Sequence, residues 1–282
     1  MNERLPLFDH WWLAAVLRNW LCIALAGSFA CWAENALAYA IAILVIGTRQ
    51  HALVVLQHDG THYHISRSKR LNNLAMDILT AWPLGFSSSG YRRYHFAHHR
   101  FLGREGDPEL ETYGRFPRKW SAQANVCRLL FSDLIGFGVG ELLGLWSDIM
   151  RSRDPEARVE RYIEIVGMLL WPAAMSALLV AFGDWGLFGR VAALWYVSLF
   201  TSFVAVFRLR AYTEHIGSEW THRLQKPLLW QRLLYLPENT WLHWEHHTWP
   251  GIPLRRLKSR TIRLAMPART APIRDHVPSQ PT

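Results

Sequence analysis

Four stretches of this 282-residue chain are apolar over roughly the twenty residues needed to cross a bilayer: Trp11 to Ala33, Asn35 to about Leu56, Tyr162 to Phe182, and Leu187 to Phe207. No other feature constrains the fold as much. Backbone surrounded by lipid must satisfy its own hydrogen bonds, and an apolar run of this length does so as a helix. The stretches form two pairs joined by very short linkers, around Glu34 and around Gly183 to Gly186, with long basic segments between and after the pairs. The expected architecture is therefore all-α and integral to the membrane, with four transmembrane helices (about 11–33, 35–56, 162–182 and 187–207) in two hairpins. A helical cap is expected from 58–161 and 208–257, so that residues 1–257 make one domain, and 258–282 read as a basic, proline-rich, disordered tail.

Charge orients this arrangement. Of the 31 Lys and Arg residues, 15 lie between His58 and Arg161 and 12 from Arg208 onward, whereas the hairpin tips hold Arg190 alone. The positive-inside rule then assigns both termini and the cap to the cytoplasm. Topology accounts for the net charge of +9, so the lipid bilayer is an expected partner and nucleic acid is not. The N-terminus lacks the short apolar core and cleavage site of a signal peptide, and the first span is expected to stay as an anchor. Within it, Arg18 and Asn19 are costly in lipid, so either the helix begins after them or they face the bundle. Two shorter apolar stretches, Leu74 to Phe86 and Phe131 to Trp146, suit interfacial or re-entrant helices. The cysteines, Cys22, Cys31 and Cys127, have neither paired nor metal-type spacing and imply no disulfide framework.

Nine of the fourteen histidines fall into four groups: His58-Asp-Gly-Thr-His62, His95-Phe-Ala-His98-His99, Glu214-His215 and His243-Trp-Glu-His246-His247. Spacings of three and four residues put side chains on one face of a helix, which makes each box a chelating edge. A structural zinc takes four ligands and a catalytic zinc three plus water; nine imidazoles suit two metals with four or five nitrogens each. Imidazole binds zinc, copper, iron and nickel alike, so ligand type alone leaves the metal open. Of the other histidines, His51 lies seven residues before His58, about 10 Å along the same helical face, as a packed residue or pocket liner. His64 is expected to point elsewhere, and His10, His222 and His276 to lie at the surface.

These boxes resemble those of the membrane fatty acid desaturase and hydroxylase superfamily, and within it a compact acyl-lipid-type desaturase. Two flanks add to the likeness: Gly106-Asp-Pro-Glu109 after the second box, and Asn239-Thr-Trp-Leu-His-Trp-Glu-His-His-Thr-Trp-Pro-Gly-Ile-Pro-Leu-Arg-Arg-Leu257 around the third. The resemblance spans about Leu53 to Leu257. It implies a centre of two iron ions on the cytoplasmic face, using O2 as co-substrate to remove hydrogen from an unactivated C–H bond. As ligands it implies His58, His62, His95, His98, His99, His243, His246 and His247, with His215, in Arg210-Ala-Tyr-Thr-Glu-His215, as the ninth. Metal-bound imidazoles usually pass their other N–H to a carboxylate or carbonyl, which makes Asp59, Asp107, Glu214 and Glu245 candidates to orient the rings. Asn239 is a further candidate, positioning the third box or a metal-bound water, or else capping the box helix.

Oxidising an alkyl C–H bond demands a redox-active metal, which zinc is not. The expected reaction is introduction of a C=C bond into a fatty acyl or similar lipid-like chain. The alternatives are hydroxylation or ketolation of a lipid, carotenoid or specialised hydrophobic metabolite, and a membrane zinc hydrolase that would leave five histidines unexplained. A bis-histidine haem carrier would place isolated histidines within the bilayer. The chain carries no flavin or nicotinamide fingerprint, iron–sulfur cysteine set or fused-cytochrome segment. A separate electron donor, ferredoxin-like or of cytochrome type, is therefore expected, and the basic surface would steer an acidic one.

Overall fold

The computed structural model describes residues 7–109, 123–215, 221–224 and 226–257. The tail at 258–282 and His276 lie outside the described residues, which contain helices and no strand. Four helices, or helix pairs, have the length and hydropathy of membrane spans: α1 (His10–Ala33), α2 (Ala36–Thr61), α7 (Arg158–Phe182), and α8 with α9 (Trp185–Phe200 and Ser202–His215). The first span begins where a carboxylate can cap it, Asp9 accepting from the backbone N–H of Trp11 at 3.0 Å and Trp12 at 3.2 Å. It ends at Glu34, whose left-handed conformation lets its N–H bond back to Ala30. Asn35 then caps α2 through Ala38, so two residues connect the helices.

α2 is the central helix, packed against α1, α8 and α9 and buried along most of its length. Gly47 allows the closest approach: a Cβ there would meet the backbone nitrogen of Phe203 at 2.6 Å. α7 is the opposite case, with only Glu164 and Gly167 buried, Gly167 packing against the indole of Trp82. Outward-facing Leu17, Leu21, Leu25, Phe29 and Trp32 on α1, Leu37, Ile41 and Leu44 on α2, and Leu169, Leu170 and Leu178 on α7 form a large exposed apolar surface. Such a surface is tolerable in a bilayer and not in water; this is a membrane protein.

The helices outrun their hydropathy. α2 continues five residues past Leu56, and α9 runs past Phe207 to His215. Polar residues end an apolar window, but their side chains here pack on protein, and the backbone repeat continues through them. Arg18 and Asn19 lie within α1 and find a protein partner: both bond Glu238, Asn19 at 3.0 Å. Glu238 and Asn239 both adopt left-handed backbone conformations, with φ of 51° and 66°.

The shorter apolar stretches become bent elements. α3 (Lys69–Met76) passes into a π-helical turn (Asp77–Ala81) and a 3-10 turn (Trp82–Leu84). α5 (Gln123–Leu134) and α6 (Val139–Arg151) meet at 83°, a broken span or re-entrant element, braced by a buried 2.6 Å ion pair between Asp133 and Arg208. α4 (Ser88–Phe101), α10 (Leu229–Leu234) and α11 (His243–Thr248), the last preceded by a 3-10 helix (Pro237–Leu242), are the other helices among the described residues. One apolar cluster fills the bundle around Trp12, Leu53, Met76 and Phe203. A second, of Val55, Tyr235, Leu236, Trp241, Leu242, Leu254 and Leu257, docks the C-terminal segment on α2.

Candidate metal centre

The histidine boxes occupy helix ends that packing brings to one place. His58 lies in the last turn of α2, and His62 is its C-terminal cap residue. His95, His98 and His99 occupy the last turns of α4. The N-terminus of that helix is held by Glu164 of α7, which accepts from the Ser89 N–H at 2.7 Å, the Ser89 hydroxyl at 2.9 Å and the Ser88 hydroxyl at 3.2 Å. His215 ends α9. The third box is a six-residue helix, α11, too short to stand alone. The second apolar cluster and the Glu245–Arg223 ion pair at 2.9 Å anchor it.

The nine imidazoles assemble into two groups. His58, His62, His95, His99 and His246 form one, His98, His215, His243 and His247 the other, and within each the ligating atoms all lie within 4.8 Å of one another. Neighbouring Nε2 atoms in the first are 3.0 Å apart (His62–His95), 2.9 Å (His95–His99) and 3.1 Å (His99–His246). In the second they are 2.9 Å (His215–His243), 3.0 Å (His243–His247) and 3.4 Å (His98–His247). Nitrogens each about 2.1 Å from a shared metal would stand about 3.0 Å apart at a right angle and about 3.4 Å at the tetrahedral angle. The His99 and His247 rings, one from each group, stack with centroids 4.3 Å apart.

Burial suits these imidazoles to metal binding, which takes the neutral ring. Desolvation, reinforced by neighbouring histidines, holds His62, His95, His243, His246 and His247 well below the ordinary imidazole value and lowers His99 to about 4. His98 differs: burial pulls it down, but Glu109 and Asp107 outweigh burial and raise it. Neither ring nitrogen of buried His58 has a hydrogen-bond partner among the described residues, an arrangement that a cation would resolve. The donor set therefore fits metal ions.

The carboxylates divide by what they touch. Asp107 Oδ1 lies 2.9 Å from His98 Nδ1 and also receives the Glu109 N–H, while Oδ2 receives the Gly103 N–H. Glu214 binds Arg210 and the Thr240 hydroxyl, with an oxygen 3.7 Å from His243 Nε2. Asp59 accepts the Leu254 N–H at 3.3 Å and lies 3.7 Å from His64, so it ties the C-terminal segment to α2. Glu245 binds Arg223 instead of a ring. Asn239 caps nothing here: α11 starts after Leu242 with no side-chain cap.

Two polar neighbours escaped the sequence reading. Glu109 has oxygens 3.6 to 3.9 Å from His98, His215 and His95, and Arg210 Nη2 is 3.5 Å from His243 Nδ1. Their only signals were the Gly106-Asp-Pro-Glu109 segment and the four-residue spacing from Arg210 to Glu214. His64, expected to point elsewhere, stacks on His62 at 5.6 Å. His51 is fully buried edge-on to Phe207, and His10 and His222 are exposed. Beside the rings lies a cavity of about 30 Å³ whose lining includes His58, His95 and His243 together with Val54, Leu145 and Phe207.

The family model described as "Fatty acid desaturase" matches residues 34–276. The chain belongs to the fatty acid desaturase family. Among relatives of this desaturase-family chain is the dihydrorhizobitoxine desaturase of Bradyrhizobium elkanii, 27% identical over 247 residues covering 81% of this chain and 68% of the relative. Another is the sphingolipid delta(4)-desaturase DES1 of Drosophila melanogaster, 23% identical over 219 residues covering 75% of this chain and 61% of the relative. The desaturase family and the names of both relatives indicate an oxidoreductase of desaturase type.

Proposed function

We propose that this protein is an O2-dependent di-iron desaturase that introduces a C=C bond into a fatty acyl or similar lipid-like chain. The observation that carries the reading is the five-plus-four grouping of nine imidazoles, beside a cavity lined in part by apolar side chains. Two iron ions held by His58, His62, His95, His99 and His246 and by His98, His215, His243 and His247 would supply the oxidising power for C–H cleavage with O2. Val54, Leu145 and Phe207 would seat the reacting carbon and exclude water from it. Asp107 would hold and orient the His98 ring of the four-imidazole group.

In this reading the spans form two hairpins with the histidine-bearing elements as a cap, and both termini and the metal centre face the cytoplasm. Basic residues concentrated in the cap support that orientation. Electrons would come from a separate ferredoxin-like or cytochrome-type donor, with charge complementarity speeding the encounter. The names of the relatives, one referring to dihydrorhizobitoxine and one to a sphingolipid, differ in the compound they point to; the second reading is a hydroxylase or ketolase acting on a lipid, carotenoid or specialised hydrophobic metabolite.

The deciding experiment has two parts. Metal analysis of the purified chain should return about two irons, and one zinc would overturn the reading. Expression with a defined donor, followed by untargeted comparison of lipids and small metabolites, should show an acyl product two hydrogens lighter. No such acyl product, and a new hydroxylated or keto product instead, would favour the second reading.

A further inference from the structure

The two imidazole groups differ in how they meet the surface. All four histidines of the smaller group are buried, whereas His62 and His99 of the larger one are partly exposed. We infer that an acidic one-electron donor protein docks beside these two, on the face of α4 that carries Arg93, Phe96 and Arg100. The inference rests on the two-metal reading above, with its separate donor, and assigns the surface that donor uses.

Arg93, Phe96 and Arg100 follow one another at three- and four-residue spacing, which puts them on one face of α4, and all three are exposed. His95 and His98, on the other side of the helix, are buried. Phe96 is 41% exposed, and its ring centroid stands 5.4 Å from that of His62, itself 5.0 Å from that of His99. The surface therefore comes within one aromatic ring of the larger group. α4 is not one of the spans, and arginines flank Phe96 along its face, so this face suits a protein better than acyl chains. An aromatic side chain ringed by arginines has the composition of an interface centre.

The surroundings set the sign of the partner. Lys69 and Arg92 lie over the ring of Tyr63, the residue after His62, at 5.2 and 4.3 Å, and Lys69 is exposed. Asp154 pairs with Arg93 at 2.9 Å, but with side chains 43% and 55% exposed the pair is weak enough to yield to a partner's carboxylates. Complementary charge would bring an acidic donor to this face. At each encounter the donor's redox centre would lose one electron to a metal ion held by the five imidazoles. Two encounters supply two electrons, which with two protons, O2 and the two hydrogens taken from the substrate leave as two molecules of water.

Calorimetric binding of an acidic [2Fe–2S] ferredoxin to the full-length, iron-loaded protein in detergent, across a salt series, tests this. Wild type should bind it with an affinity that falls as salt rises. Arg93→Glu with Arg100→Glu should weaken binding by more than about tenfold and flatten the salt dependence, and Arg93→Gln with Arg100→Gln should fall between. Arg190→Glu, on the hairpin at the far end of the spans, also lowers the net charge and should change binding less than about twofold. Iron content should stay at the wild-type value in all of them. Equal weakening by Arg190→Glu, or wild-type affinity in both α4 double variants, would overturn the docking face while leaving the two-metal reading intact. No ferredoxin binding by wild type would overturn it too, and one zinc in place of two irons would overturn both.

Discussion

Asp107 Oδ1 lies 2.9 Å from Nδ1 of His98, nine residues away around the end of α4, and this contact decides which nitrogen of His98 faces its group. With Nδ1–H donated to the carboxylate, Nε2 presents its lone pair toward His247, 3.4 Å distant. Asp107→Ala should therefore lower affinity for one of the two metals about 10- to 100-fold and leave the other unaffected. Competition against a graded series of chelators reads both affinities, and equal loss at both sites would contradict the contact's local role.

His246 and His98 belong to different groups although each sits in a three-histidine box. His246→Ala should cost the five-imidazole site and His98→Ala the four-imidazole site. Each variant should retain about one metal and form no product. Metal content with activity checks this; a single variant stripped of both metals would argue against separable sites.

Acid should destabilise the metal-free protein. His62, His95, His99, His243, His246 and His247 are held below the ordinary imidazole value by burial, so in mild acid the unfolded chain binds protons that the folded chain refuses. Their contribution is complete above about pH 6.5 and is lost as pH falls, for His99 by about pH 4. Each adds up to about 1.4 kcal/mol per pH unit to the slope. His98 has the opposite sign, its raised value giving stability below about pH 6.5 that fades as pH rises through the folded value. Six outweigh one, so Tm should fall between pH 7.5 and 5.5; a flat or rising Tm would contradict this.

The crossing of α2 and α9 depends on a missing side chain. Gly47→Ala would drive a methyl into Ser202 and the Phe203 backbone and should cost about 1–3 kcal/mol. Gly27→Ala on α1, where a methyl meets nothing within 4 Å, should be neutral or gain up to about 1 kcal/mol from helix propensity. Thermal unfolding of the pair in detergent distinguishes a packing effect from loss of glycine as such.

The four spans were legible because lipid leaves an apolar backbone few options, and the boxes because three- and four-residue spacing aligns side chains on a helix. Where the spans end was less legible: Leu56 and Phe207 close the apolar windows, yet α2 and α9 continue to Thr61 and His215 on protein contacts. The partition of ligands was not legible at all. Adjacent residues such as His98 and His99 leave a helix about 100° apart, and which group each joins depends on how α4 docks between α2 and α11. Sequence spacing within a box contains nothing about that docking. Glu109 and Arg210 were missed for the same reason, since their nearest imidazoles include ones 106 and 33 residues away.

One unbroken helix runs from Asn35 to His58 and His62, about 39 Å for its 26 residues. Under the proposed function, a helix of membrane-spanning length that ends in candidate metal ligands would make the bilayer a measuring stick. For an amphiphile held by its head at the water boundary, the carbon beside the imidazoles would then be chosen by depth, and membrane thickness would become a variable in where along the chain the proposed reaction falls.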